Sequence, residues 1–184
     1  ADKVPTGFAL KGTVDISKKS THDTITSPNV VGVLEGSDPK LKNEYVVFSA
    51  HSDHIGFAKT VKKDNINNGA MDNASGTSVM LETARLFSEM ATKPKRSILF
   101  VSVTGEEKGL LGSRYYTENP VFPLSSTVAN LNIDMIGRVD DKHKDNPDYI
   151  YLIGSDRISK ELHFISEKVN STSTNIELDY TFNQ

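Results

Sequence analysis

Cysteine is absent from this chain of 184 residues, which excludes disulfides and thiolate metal ligands. That absence leaves the compartment open, because a cysteine-free chain persists in oxidising and reducing surroundings alike. No apolar run approaches the roughly 20 residues that cross a bilayer, and no charged-then-apolar leader opens the sequence. A large charge of one sign is also missing: the formal net charge of −3 gives no ground for a nucleic-acid or membrane partner. Internal repeats and low-complexity tracts are absent. What remains is an ordinary globular composition, long enough to build one domain, 1–184, with its own core.

Apolar strands and helical stripes alternate along that domain. Phe8 to Ile16 alternates apolar and polar residues as a half-exposed strand does, and with the turn-like residues after it forms an N-terminal strand and polar loop over 1–28. Val30 to Leu34 and Tyr45 to Ala50 read as strands, and Gly36-Ser37-Asp38-Pro39 between them predicts a hairpin-like pair. Gly56 to Gly69 reads as a polar loop. Met80, Ala84 and Phe87, flanked by Leu81 and Leu86, give Ser75 to Met90 one apolar helical stripe, ended by Lys93-Pro94. Ile98 to Val103 and Val128 to Ile133 read as core strands, and Leu110 to Tyr116 as a short helix. Arg138 to Asp148 reads as a solvated loop and Tyr149 to Ile153 as a further strand. Ile158, Leu162, Ile165 and Val169 mark a last amphipathic helix. The alternation predicts an α/β fold with a mixed, mostly parallel sheet covered on both faces.

The chemistry gathers where the apolar strands end. Glu106 and Glu107 follow Ile98 to Val103, at the end of a strand where α/β folds place ligands and catalysts. Two neighbouring carboxylates there repel, and burying either is costly, unless a cation lies beside them. His51 and Asp53 follow Val46-Val47-Phe48-Ser49-Ala50, Asp72 precedes the clearest helix, and Asp134 ends Asn130-Leu131-Asn132-Ile133. If those strands are parallel neighbours, His51, Asp72, Glu106, Glu107 and Asp134 share one crevice. Imidazole and carboxylates without thiolates suit zinc or a related divalent metal. Asp53, two residues after His51, fits the role of holding the free ring nitrogen of that histidine. Each signal alone has a plainer reading: an N-cap or Asx turn at Asp72, a solvated helix start at Glu106-Glu107, a cap or an Arg138 partner at Asp134. Their joint placement argues for a metal centre.

Four ordered segments carry a specific resemblance: Ala50-His51-Ser52-Asp53-His54, Asn68 to Gly76, Gly105 to Ser113, and Asn132 to Arg138. From about Asn29 to Arg138 the chain resembles the double-zinc aminopeptidases of metallopeptidase family twenty-eight. The resemblance implies a three-layer α/β/α sandwich of the zinc-exopeptidase kind. It also implies hydrolysis of the N-terminal peptide bond of peptides with a free N-terminus, through metal-activated water. His51 and Asp134 would bind the first zinc, Asp72 would bridge both, and Glu107 would bind the second. Glu106 would be the general base and Asp53 would orient His51. A secreted or periplasmic location is implied in the same way.

The family also carries a fifth ligand, a histidine in a downstream Ser-Asp-His-like segment, near a tyrosine that assists the oxyanion. The chain ends at Tyr180-Thr181-Phe182-Asn183-Gln184, and neither His54, His143 nor His163 sits in a matching motif. On this reading the first site (His51, Asp72, Asp134) is complete and the second lacks its histidine. The chain is then expected to be a catalytic-domain fragment, truncated at its C-terminus, with weak or no activity and a surface that favours self-association. A carboxypeptidase or dipeptidase of the same fold, and a non-catalytic binding domain, are the alternatives. Retention of the site residues argues against the binding domain.

Overall fold

The computed structural model describes residues 7, 9, 11–61 and 63–183. The first strands in chain order are β1 (Val30–Leu34), β2 (Tyr45–His51), β3 (Gly56–Val61) and β4 (Asp64–Asn67). Helix α1 (Ser75–Glu89) follows, then β5 (Ser97–Val103), α2 (Leu111–Glu118) and β6 (Thr127–Asn132). The chain closes with β7 (Tyr149–Tyr151), α3 (Lys160–Thr172) and β8 (Glu177–Asp179).

The central sheet has the order β1-β5-β2-β6. Strand β2 runs parallel to both β5 and β6, whereas β1 pairs antiparallel with β5. The sheet is therefore mixed and mostly parallel. Its β5 strand, Ser97-Ile98-Leu99-Phe100-Val101-Ser102-Val103, is buried almost throughout, as a strand covered on both faces must be. Alternation then divides its side chains between two apolar clusters. Ile98 and Phe100 point to one face and pack with Ala50 and with Met80, Ala84 and Phe87 of α1. Leu99, Val101 and Val103 point to the other, with Tyr45, Val47, Phe122 and Tyr116 of α2. Helices on opposite faces of one sheet make the α/β/α sandwich.

Several local expectations change. Val30–Leu34 does not form a hairpin with β2; it pairs with β5, in the register Val31 to Val101. The connecting residues dock instead on the approach to β5, where the Gly36 N–H donates to Ser97 Oγ at 2.9 Å and the Ser37 N–H to Pro94 O at 2.9 Å. That docking leaves β2 free to take the position between β5 and β6. The Gly56 to Gly69 loop contains the antiparallel pair β3–β4. Of the Phe8 to Ile16 strand, Phe8 and Leu10 lie outside the described residues, and 11–16 form no strand. β7 is shorter than expected, and β8, three residues long, pairs with it in parallel.

The parallel arrangement of β2, β5 and β6 has one consequence for function. Their carboxyl ends lie along one edge, so the residues after His51, Val103 and Asn132 emerge together.

Candidate metal centre

His51 is the last residue of β2 and is only 3% exposed. Its backbone carbonyl accepts the Thr77 hydroxyl of α1 at 2.9 Å, which fixes where the strand stops. The ring donates Nδ1–H to the backbone oxygen of Asp53 at 3.1 Å, because a carbonyl can only accept. In the neutral ring Nε2 is then a lone pair, and it faces Asp72 Oδ1 at 3.0 Å and Asp134 Oδ2 at 3.5 Å. A lone pair directed at two carboxylates has nothing to bond with unless a cation or a proton stands between them.

Asp72 and Asp134 are brought there by Asn73, which is 2% exposed. Its side-chain amide donates to Ile133 O at 3.0 Å and accepts from the N–H groups of Gly76 at 3.1 Å and Met135 at 3.2 Å. One buried side chain thus ties the turn at Ala70–Ala74 to the start of α1 and to both peptide groups flanking Asp134. A β-carbon on Gly76 would lie 2.3 Å from Ile133 O, so glycine is required for the close approach. The sequence signals Asn73 only as part of an Asx turn; its reach to the end of β6 is a tertiary feature.

Asp53 has a second task beside the expected one. Its carboxylate accepts the backbone N–H of Glu106 at 3.1 Å and of Glu107 at 3.3 Å, while Oδ1 stands 3.7 Å from the His51 ring. It therefore orients the turn after β5 with its side chain and the His51 ring with its main chain. Asn29 clamps the same region from the other side, accepting Thr104 N–H at 3.1 Å and donating to Gly112 O at 2.8 Å.

The structure also places His54, three residues after His51 and outside any expected ligand motif, beside Glu107 and Asp72. Its Nδ1 lies 2.6 Å from Glu107 Oε1 and 3.9 Å from Asp72 Oδ2. Gly69, in the left-handed region at φ 67°, admits this ring: a β-carbon there would sit 2.8 Å from His54 Cβ. Two triads result, His51-Asp72-Asp134 and His54-Asp72-Glu107, in each of which the ligand atoms lie within 4.8 Å of one another. Asp72 belongs to both, one oxygen toward each histidine. Three ligands of a tetrahedral metal at about 2.1 Å stand about 3.4 Å apart, close to the 3.0 and 3.5 Å found around His51. The donor set fits zinc.

Electrostatics point the same way. Burial raises the Glu106 carboxyl above its ordinary range, with Glu107, Asp134 and Asp72 adding to the rise and His51 opposing it. Asp134 is raised as well, first by burial and then by Asp72 and Glu107, again against His51. The clustered carboxylates call for positive charge beside them.

The sequence model described as "Peptidase family M28" matches residues 29–183. The mouse protein named Aminopeptidase NAALADL1 is 34% identical over 145 residues, which cover 72% of this chain and 18% of that protein. Aminopeptidase YwaD of Bacillus subtilis is 35% identical over 113 residues, covering 61% of this chain and 22% of that one. Among solved structures, BSAP, a zinc aminopeptidase from Bacillus subtilis, superposes with a TM-score of 0.63 at 28% identity. The match covers 82% of this chain and 33% of the BSAP chain. The chain therefore spans well under half the length of each of these proteins.

Proposed function

The chain belongs to peptidase family M28, and from that premise we propose that it is the metal-binding part of a zinc aminopeptidase. It would cleave the N-terminal peptide bond of peptides with a free N-terminus. The observation that carries this reading is the placement of Asp72, with Oδ1 3.0 Å from His51 Nε2 and Oδ2 3.9 Å from His54 Nδ1. A carboxylate so shared suits two cations a few ångströms apart, with His51 and Asp134 on one and His54 and Glu107 on the other.

When bound, zinc supplies a lowered pKa for water and polarisation of the scissile carbonyl. Glu106 takes the proton from the attacking water and delivers it to the leaving amine. Its raised carboxyl pKa brings it nearer the range in which it can do both. Asp53 keeps Glu106 and Glu107 in register through their N–H groups, and Asn73 keeps Asp134 beside Asp72. A secreted or periplasmic location accords with the family resemblance.

The reading is tested by zinc analysis of the purified protein together with hydrolysis of matched peptides with free and acetylated N-termini. Zinc at both the His51 and the His54 triad, with cleavage by the full-length protein confined to the free-amine peptides, is expected. Cleavage of the acetylated peptide at its C-terminus would move the assignment to a carboxypeptidase.

A further inference from the structure

A second cluster, remote in sequence from the first, repeats its geometry. His143 is 4% exposed and its Nδ1 stands 2.8 Å from Asp140 Oδ1. Its ring stacks on Tyr149 with centroids 3.6 Å apart and an interplanar angle of 10°. The orientation is thus fixed twice over, and Nε2 faces Asp179 Oδ2 at 3.1 Å and Glu177 Oε1 at 3.7 Å. Yet Nε2 has no hydrogen-bond partner among the described residues.

We propose that His143, Glu177 and Asp179 form a separate divalent-cation site of the zinc type, which clamps the turn around His143 to the β7–β8 pair. The three ligand atoms lie within 4.8 Å of one another, and the 3.1 and 3.7 Å spacings bracket the roughly 3.4 Å expected between tetrahedral zinc ligands. They also match the 3.0 and 3.5 Å spacings at His51. In both places an oxygen holds Nδ1 and Nε2 stands against carboxylates, the arrangement in which a neutral imidazole is presented to a metal. The supporting bonds fall on the other carboxylate oxygens, although Lys142 also reaches Asp179 Oδ2. Thr181 occupies Asp179 Oδ1 through its N–H at 2.7 Å and its hydroxyl at 2.6 Å, and Asn146 occupies Glu177 Oε2 at 2.8 Å.

Charge supports a dication. Among the described residues, Asp140, Glu177 and Asp179 have one lysine or arginine paired with them, Lys142, which pairs with Asp179 and also donates to Thr181 at 2.8 Å. Lys142 is half exposed and can swing into solvent when a metal takes Asp179 Oδ2. The rival occupant is a proton, which would make His143 an imidazolium between Asp140 and Asp179.

Side-chain nitrogen spectra of the histidines, recorded on the whole chain during zinc titration, separate the two occupants. A neutral His143 protonated at Nδ1, whose Nε2 resonance moves with zinc, is expected. His143→Gln should bind one zinc equivalent fewer than the unaltered protein, with the His51 and His54 resonances still responding. Glu177→Gln, at a more exposed position, should weaken this site roughly tenfold or more without unfolding the protein. A His143 ring that is doubly protonated and unmoved by zinc overturns the proposal. So does an unchanged zinc count in a folded His143→Gln protein. Neither outcome bears on the His51 centre.

Discussion

Asn73 grips Asp134 from both sides, donating to the carbonyl before it at 3.0 Å and accepting the N–H after it at 3.2 Å. A buried amide that satisfies three backbone groups is costly to remove. Asn73→Ala leaves Ile133 O and the N–H groups of Gly76 and Met135 without their partner, and each orphan costs about 1–3 kcal/mol. Local relaxation and water will recover part of that, so a loss of about 2–4 kcal/mol is expected. Urea unfolding checks it. Zinc affinity at the His51 triad should fall with it, whereas a variant of unchanged stability would remove Asn73 from its structural role.

The first-triad residues were legible because their types and strand-end positions are local facts. His51, Asp72 and Asp134 each adjoin an apolar run or the clearest helix, and three parallel strands bring such ends together. His54 and Asn73 were not legible for the opposite reason. His54 acts through a ring that reaches Glu107 on a different strand exit, and Asn73 through bonds to the end of β6. The pairing of β1 escaped similarly: a turn-forming stretch indicates a reversal of direction but not which strand the chain joins afterwards. Weak, three-residue strands such as β8 exist only through their partners, and no local pattern announces them.

Glu106→Gln preserves the shape of the side chain and removes its ability to accept a proton. If Glu106 is the base, turnover by the full-length enzyme falls by about two to four orders of magnitude. The zinc content stays the same, since Glu106 belongs to neither triad. Metal analysis and initial rates on one preparation decide the matter. Normal turnover with full zinc would assign the proton transfer elsewhere.

Gly76→Ala sets two effects against each other. Replacing glycine by alanine inside a helix ordinarily stabilises by about 1 kcal/mol. Here the new methyl would stand 2.3 Å from Ile133 O and 2.5 Å from Asn73 Oδ1, distances that no β-carbon tolerates. Helix α1 and the end of β6 must separate, which forfeits the Asn73 bonds as well. The clash is expected to win, with a net loss of about 1–3 kcal/mol in denaturant unfolding. A stabilised variant would mean that the two elements are freer to part than their packing indicates.

Removing metal should lower thermal stability, because the carboxylates of Asp72, Glu107 and Asp134 then face one another with only His51 and His54 between them. A ligand present at 100 times its dissociation constant stabilises the folded form by about 2.7 kcal/mol. Melting curves with chelator and with added zinc should therefore differ by several degrees, the zinc-loaded protein melting later. Coincident curves would show that the centre does not take up zinc in the folded chain.

His54→Gln separates the two triads. The His51 triad keeps all its donors, while the His54 triad loses its imidazole and retains only Asp72 and Glu107. Glutamine preserves polarity at a position that is four-fifths buried, so gross unfolding is not expected. Of the equivalents at these two triads, zinc titration should then find the one at His51 bound as tightly as before and the other weakened about tenfold or more. Cobalt substituted for zinc gives an independent view, because loss of a nitrogen ligand alters its visible absorption. If both equivalents bind unchanged, His54 is a hydrogen-bond partner of Glu107 alone, and the second metal draws its nitrogen from elsewhere in the full-length protein.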